Sequence, residues 1–334
     1  MYISDLGEAN AIKRLRATIK ERGVQGVDTL GYELLLGIGD DAAAWRPGHQ
    51  ITELSTTDTV VEEVHFTRAT TPWYDLGWKV MASNVSDIVA MGGIPVYALI
   101  TLGLPPNLEV KALDLLYDGM LDIAKEYGFS IVGGDIVRSP VMFVSVALTG
   151  ATQDPPILRS GAIPGHQVAV AGYLGSSAGG LKLLLQGEQS NQSTLRNLTE
   201  AHRKPRPRVT HGRTLAAEGV QAAIDVSDGL VGDLSKLCQE SHVAAQINAH
   251  QIPVDPLLKQ AFPDDYLSLA LGGGEDYALL FTAPPETMKR VLPHLLPPVA
   301  VVGDITEGAS GQVTVVDVSG RDVTPSYSGW DHYN

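Results

Sequence analysis

Apolar positions along the chain fall into two series of helical and strand-like stretches, separated by one stretch that has neither period. Over residues 5–21, Leu6, Ile12, Leu15 and Ile19 recur near helical spacing and Gly23 follows as a stop, so the pattern predicts an amphipathic helix. Apolar runs at 34–36 and 51–57 predict strands. Residues 74–91 and 108–127 predict helices on either side of a strand at 96–104, and strands resume at 130–132 and 141–148. Strands and helices that interleave and end in an antiparallel-looking pair predict an open α+β sheet.

Residues 149–165 interrupt this order with Pro155-Pro156 and Pro164-Gly165, which places a domain boundary there and divides the chain into domains of residues 1–150 and 151–334. The second domain begins with a strand at 167–171, a helix at 177–185 and a polar linker at 186–197. A helix around 210–218, a strand at 222–225, a helix at 230–242 and a strand at 245–248 follow. Strands at 277–282, 300–302 and 313–316 complete a mixed α/β domain. No repeat of solenoid period is visible.

Composition narrows the class without changing this outline. With 334 residues, 44% hydrophobic and 19% charged, the chain can bury the cores of two domains, and wholesale disorder is excluded. The 38 acidic residues exceed the 24 basic ones, giving a net charge of −14 that repels nucleic-acid phosphates unless a basic face is concentrated somewhere. The one such concentration is His202-Arg203-Lys204-Pro205-Arg206-Pro207-Arg208, whose alternating prolines predict an extended, solvated segment rather than a nucleic-acid site. No apolar run reaches the roughly 18 to 20 residues of a membrane helix, and Met1 to Asp5 lacks the basic start of a signal peptide, so a soluble cytoplasmic protein is expected. Cys238 is the only cysteine, which excludes an intrachain disulfide and a cysteine-based zinc cage. A metal site in this chain is therefore built from oxygen or imidazole.

Candidate chemistry lies in the placement of the carboxylates. They recur at the ends of predicted strands beside Gly, Ser or Thr: Gly37-Ile38-Gly39-Asp40-Asp41, Ser55-Thr56-Thr57-Asp58, Gly133-Gly134-Asp135, Asp225-Val226-Ser227-Asp228-Gly229 and Gly272-Gly273-Gly274-Glu275-Asp276. Asp87, in Asn84-Val85-Ser86-Asp87, lies inside an otherwise apolar helical pattern, where a carboxylate needs a partner. Each Gly-Asp alone reads as a turn. Six such segments together point to cations, because gathered carboxylates repel one another unless neutralised; magnesium takes hard oxygen ligands, completed by water and phosphate. A magnesium–phosphate site is the leading expectation.

Competing motifs fail on context. Gly37 to Ala42 matches G-x-G-x-x-A, but Pro47-Gly48 stops any helix after barely a turn, and two aspartates at the phosphate position repel pyrophosphate. No P-loop, protein-kinase or EF-hand pattern occurs, and Ser177 does not stand in a G-x-S-x-G elbow.

Taken in order, these segments resemble the thiamine-monophosphate kinase family, within the ATP-binding superfamily that includes aminoimidazole ribonucleotide synthetase and selenophosphate synthetase. The resemblance runs from Gly37 almost to the C-terminus. Beyond the segments above it is carried by His65-Phe66, Asn84 to Gly92, Arg159-Ser160-Gly161-Ala162, Ile224 to Leu230, Gly273 to Tyr277 and Gly329-Trp330-Asp331-His332. It implies an N-terminal α+β domain whose sheet pairs across a homodimer, a C-terminal α/β domain, an active site in the cleft between them, and transfer of the γ-phosphoryl of ATP to thiamine monophosphate.

By the same resemblance, Asp41, Thr57, Asp58, Asp87, Asp135, Asp225 and Asp228 correspond to magnesium-site residues, with Thr56 at a position that can be Ser. Asp40 either orients its loop or binds metal. Tyr117, Gly134, Asp135, Arg159 and Ser227 correspond to nucleotide-binding positions, and His65, Glu275 and Trp330 to positions around the thiamine phosphate. The bland alternatives stand beside these: a satisfied strand-end histidine, a surface arginine paired with Asp154, a tail tryptophan capping the core. Two other functions remain open at this level, namely a superfamily enzyme with another acceptor and a silent nucleotide- or metal-binding protein.

Overall fold

The computed structural model describes residues 1–23, 29–36, 43–187, 193–325 and 329. It divides into two compact units. Unit 1 comprises Met1–Ile88 with Ile94–Gln153, and unit 2 comprises Val89–Gly93 with Asp154–Asn334.

Unit 1 begins with α1 (Ile3–Leu6) and α2 (Glu8–Arg22), then the hairpin β1 (Glu33–Leu36) and β2 (Ala44–Arg46). There follow β3 (Thr52–Val61), α3 (Trp73–Ala90), β4 (Ile94–Leu104), α4 (Val110–Tyr127), β5 (Ser130–Arg138) and β6 (Phe143–Thr152). Its main sheet has the order β3-β6-β4-β5, antiparallel at β3/β6 and β4/β6 and parallel at β4/β5. The central strand β4 is buried along most of its length, as its apolar run Ile94 to Leu104 requires. α4 buries Leu113, Leu116, Met120 and Ile123 at helical spacing and ends on Gly128 in the left-handed conformation. On its polar side Asp114 receives a bidentate pair from Arg14 of α2, and Asp118 and Asp122 receive Arg22. The β1–β2 hairpin closes one end of the sheet, where Trp45 and Tyr32 pack on Tyr97 with ring centroids 5.1 and 5.9 Å away.

Two strands outrun their sequence signal. β3 continues through Asp58 to Val61 and β5 through Asp135 to Arg138, so these aspartates lie within strands and not at strand ends. Both are edge strands, where one face is open to solvent and polar residues and glycine extend a ladder that the apolar pattern alone ends early.

Unit 2 contains β7 (Gln167–Ala171), α5 (Ser176–Leu185), α6 (Ser193–Arg203), α7 (Val209–Ala217), β8 (Ala222–Val226), α8 (Leu230–Ser241) and β9 (Ala244–Asn248). These are followed by α9 (Pro256–Ala261), α10 (Tyr266–Gly272), β10 (Ala278–Ala283), α11 (Pro285–Val291), β11 (Val299–Thr306) and β12 (Val313–Val316). Its sheet has the order β12-β9-β11-β7-β10-β8 and is antiparallel except at β12/β9. Val168, Val170, Ile224, Val226, Leu280 and Val302 of the sheet meet Leu230, Leu234, Leu237 and Cys238 of α8 in one apolar core.

The polar stretch expected as a linker over 186–197 instead runs into α6. The basic segment that follows is solvated only in part: residues 205–208 lie outside helix and strand and Arg206 is exposed, but His202 is 2% exposed and Pro205 and Pro207 are buried. Here burial of one face of an otherwise polar helix outweighs its composition. The short β2, α9, α10 and α11 have no sequence forecast above. Among the described residues no helix is long and apolar enough to cross a membrane.

Candidate functional site

In unit 1 the alternation of β3 sorts the Ser55 to Thr59 segment onto two faces. Thr56 and Asp58 share the face that meets α3. The Thr56 hydroxyl donates to Asp87 Oδ2 at 2.5 Å, and the Asp58 backbone N–H donates to Asn84 Oδ1 at 3.1 Å. Asn84 is fully buried and donates through Nδ2 to the Val80 carbonyl at 2.9 Å, which fixes its orientation. Positions 84 and 87 are one turn apart on α3, so a single helical face holds both contacts. Thr57 points the other way, beside Thr59, whose hydroxyl donates to Ser145 Oγ at 2.8 Å.

Gly134 stands in the same cross-strand row as Asp58, through Val146 of β6 and Ile100 of β4. A Cβ at Gly134 would fall 2.0 Å from the Ile100 carbonyl oxygen, so only glycine lets β5 approach β4 there. Asp135 belongs to the next row, with Thr101, Ser145 and Thr59, and accepts the Ile136 N–H at 2.9 Å. β3 and β5 are opposite edges of the sheet, about 14 Å apart at ordinary strand spacing, so Asp58 and Asp135 are not brought together.

His65 follows β3 in a turn in which Glu63 has a positive φ of 68°. Its Nδ1 accepts the Val61 N–H at 3.1 Å, which leaves the proton on Nε2 in the neutral ring. Glu62 braces this turn by accepting both Arg68 Nε and Nη2 and the Met142 N–H. Tyr117 is enclosed in unit 1 at 4% exposure, and burial raises its phenol pKa, so it contributes core rather than an accessible ring.

In unit 2 the expected residues lie on two adjoining loops. Asp225, 4% exposed, is the penultimate residue of β8, and Ser227, Asp228 and Gly229 lead from that strand into α8. The opposing loop carries Glu275 and Tyr277 at positive φ (64° and 47°). It is pinned by Glu275 N–H to the Ser227 carbonyl at 2.7 Å and by Tyr277 N–H to the Val226 carbonyl at 2.9 Å. Strain of this kind persists where surrounding bonds over-determine it. Glu275 Oε2 lies 3.4 Å from Nδ1 of buried His202, and that nitrogen lies 3.1 Å from Ser177 Oγ. Asp276 takes the N–H groups of Gly175 (2.6 Å) and Ser177 (3.0 Å) at the start of α5. Enclosure of its carboxylate pushes its pKa up to about 7 against those hydrogen bonds.

Arg159 opens a short 3₁₀ turn and is exposed, with its carbonyl accepting Ser241 Oγ at 2.6 Å. Gly329 (φ 145°) approaches the Asp228 carbonyl so closely that a Cβ there would stand 2.7 Å away, which brings the chain to the Asp228 loop immediately before position 330. Asp40, Asp41 and Trp330 lie outside the described residues.

Among the described residues no three His, Cys, Asp or Glu side chains gather as a ready-made metal cage. The donor chemistry nevertheless suits magnesium, which is commonly held by one or two carboxylates and completed by water and substrate phosphates. The Thr56–Asp87 pair beside Asp58, and Asp225 with Asp228, supply hard oxygen donors of this kind.

Comparison with known proteins tests the resemblance. The chain matches the AIR synthase related protein N-terminal domain over residues 39–152 and the corresponding C-terminal domain over residues 164–316. Against the thiamine-monophosphate kinase of Aquifex aeolicus it is 34% identical over 338 residues, covering 100% of both chains. The chain belongs to the thiamine-monophosphate kinase family.

Solved structures of thiamine-monophosphate kinases share its fold. The enzyme from Stenotrophomonas maltophilia superposes with a TM-score of 0.79 at 34% identity, covering 91% of this chain and 95% of its own. AaThiL complexed with AMPPCP and TMP gives a TM-score of 0.78 at 34% identity, covering 100% and 99%. The two-domain architecture expected from sequence, with a mixed sheet and helices in each half, is thus the architecture of this family.

Several residues around the candidate positions of this kinase-family chain escaped the sequence reading. Asn84 holds strand β3 at Asp58, and Asp233, Lys236, Ser177 and His202 contact the loops that carry Asp228 and Glu275. Asp233 was the most accessible to inference, as a carboxylate in the first turn of an apolar-faced helix that directly follows Asp-Gly.

Proposed function

We propose that this chain is a cytoplasmic kinase that transfers the γ-phosphoryl group of ATP to thiamine monophosphate, giving thiamine diphosphate and ADP. The observation that carries this reading is the match to thiamine-monophosphate kinases along the whole chain, with Thr56, Asp58 and Asp87 meeting at one β3–α3 contact and Asp225 and Asp228 flanking one loop. A phosphate oxygen of thiamine monophosphate, already ionised near neutral pH, attacks the γ-phosphorus in line while the bond to the bridging oxygen of ADP breaks. No side chain needs to remove a proton from such an acceptor, so a general base is absent from the scheme.

The main barrier that protein groups must lower is electrostatic. Two unit charges about 4 Å apart repel by about 4 kcal/mol at an effective dielectric of 20. Several magnesium ions, when bound, would supply neutralisation between the phosphates, and Asp41, Thr56, Thr57, Asp58, Asp87, Asp135, Asp225 and Asp228 are the residues proposed to hold them, Thr57 and Asp135 standing on the sheet face opposite Thr56 and Asp58. Gly134, Asp135, Ser227 and Arg159 are assigned to the nucleotide, and His65 and Glu275 to orienting the acceptor, with Trp330 against its heterocycle. His65, whose Nδ1 accepts the Val61 N–H, carries a proton on Nε2, which suits donation to a phosphate oxygen. Tyr117 takes no part, because it is enclosed. The open face of the unit 1 sheet, with Leu99 38% and Val137 40% exposed, supports assembly as a homodimer through that sheet.

Incubation of the purified protein with ATP and Mg²⁺, with thiamine monophosphate, free thiamine or no acceptor, tests the reading. Equimolar ADP and thiamine diphosphate from the monophosphate alone is the expected result. ATP turnover without that product assigns a different acceptor, and bound nucleotide without turnover assigns a binding protein.

A further inference from the structure

The loop that carries Asp228 is held by a second carboxylate that is itself closed to solvent. Asp233, 1% exposed in the first turn of α8, accepts through Oδ2 the backbone N–H groups of Ser227, Asp228 and Gly229 at 3.0, 2.9 and 3.2 Å. Its other oxygen accepts Lys236 Nζ at 2.7 Å, and the same ammonium contacts the Asp228 carboxylate. Asp233 therefore cannot move without opening the loop. The Lys236 and Asp228 side chains are 41% and 31% exposed, and either can swing. Lys236 thus bridges two carboxylates, one enclosed and one partly open to solvent. Lysine offers a compact charge on a flexible stem, able to let go of one partner while keeping another.

We propose that Lys236 is a resident counter-ion for Asp228: it neutralises and orients that carboxylate in the metal-free protein, and yields it to a divalent cation while remaining tethered to Asp233. This rests on Asp228 being a metal-site residue, as argued under the proposed function. Metal binding at Asp228 is then an exchange of one cation for another. Lys236 weakens it, and in return keeps the loop in register when metal is absent.

The test titrates Mg²⁺ alone into the full-length protein and its K236M, K236Q and D228N variants, reading both the heat of binding and the melting temperature. K236M is expected to bind Mg²⁺ about tenfold more tightly than wild type. It should melt lower without metal, with the gap closing as Mg²⁺ saturates. K236Q should shift the same way and serves where K236M fails to fold. In the unmutated protein, acetylation of Lys236 by an amine-reactive reagent, followed by peptide mass spectrometry, should speed up several-fold on adding Mg²⁺. Unchanged or weaker Mg²⁺ binding in both Lys236 variants, with the response lost in D228N, would overturn the exchange and leave Lys236 an anchor for Asp233. Unchanged acetylation would overturn it equally. A wild-type Mg²⁺ response in D228N would instead remove Asp228 from the metal site, and the exchange with it.

Discussion

Asp276 is a carboxylate that titrates near neutrality one residue from the side chain assigned to the acceptor. Enclosure raises its pKa from the ordinary carboxylate value to about 7, and the neighbouring Glu275 charge adds to the shift. A group that binds its proton more tightly in the folded than in the unfolded chain makes stability fall as pH rises from its unfolded pKa, near 4, to its folded one. The melting temperature should therefore carry a downward component between pH 4 and 7, and Asp276→Asn should remove it. A melting curve series whose pH slope is the same in both proteins would exclude Asp276 as the source. Asp58 sits in a different balance, because its role in the proposal is chemical. Asp58→Asn keeps the size of the side chain and the backbone bond to Asn84, so urea unfolding should be nearly unchanged, while kcat falls roughly 10²-fold, the scale on which single electrostatic groups act in phosphoryl and acyl transfer. Wild-type turnover at limiting Mg²⁺ would take Asp58 out of the site.

At the scale of elements, the glycine in β5 controls whether two parallel strands can pair. Gly134→Ala drives a methyl group into the Ile100 carbonyl, and the strand must shift, costing about 1–3 kcal/mol as overpacking usually does. The urea midpoint should drop accordingly, and an unchanged midpoint would show that β5 can bow away freely. The same strand explains what was legible in the sequence. Where apolar residues set the pairing, as in β4, α3 and α4, the period was plain, and Asp87 appeared correctly as a polar residue on a buried helix. Where a strand runs at an edge, its polar residues hide it, so β3 and β5 appeared to stop short of Asp58 and Asp135. Contiguous residues Thr56, Thr57 and Asp58 read as one ligand group, whereas alternation puts Thr57 on the other face. α6 and its buried His202 were invisible for the converse reason: tertiary packing there overrides a polar composition.

At the scale of the whole molecule, the open face of the unit 1 sheet remains to be covered. Thr57, Ala147, Leu99 and Gly133 form one row across it, small residues on both sides of an exposed leucine that leans over Gly133. Such a row lets a second surface come close, while Thr59, Ser145 and Thr101 in the next row offer polar groups beside it. The net charge of −14 on each chain opposes association at long range, so a dimer must be held by this apolar contact at short range and should tighten as salt screens the charge. Sedimentation equilibrium is therefore expected to give about twice the 35.5 kDa chain mass, increasingly so at high salt. Leu99→Glu adds a charge at the middle of the face and should return the mass to one chain. Leu99 is exposed within its own chain, so the substitution costs the isolated fold little, within about 0.5 kcal/mol. A dimer that survives Leu99→Glu with undiminished affinity would place the contact elsewhere on the molecule.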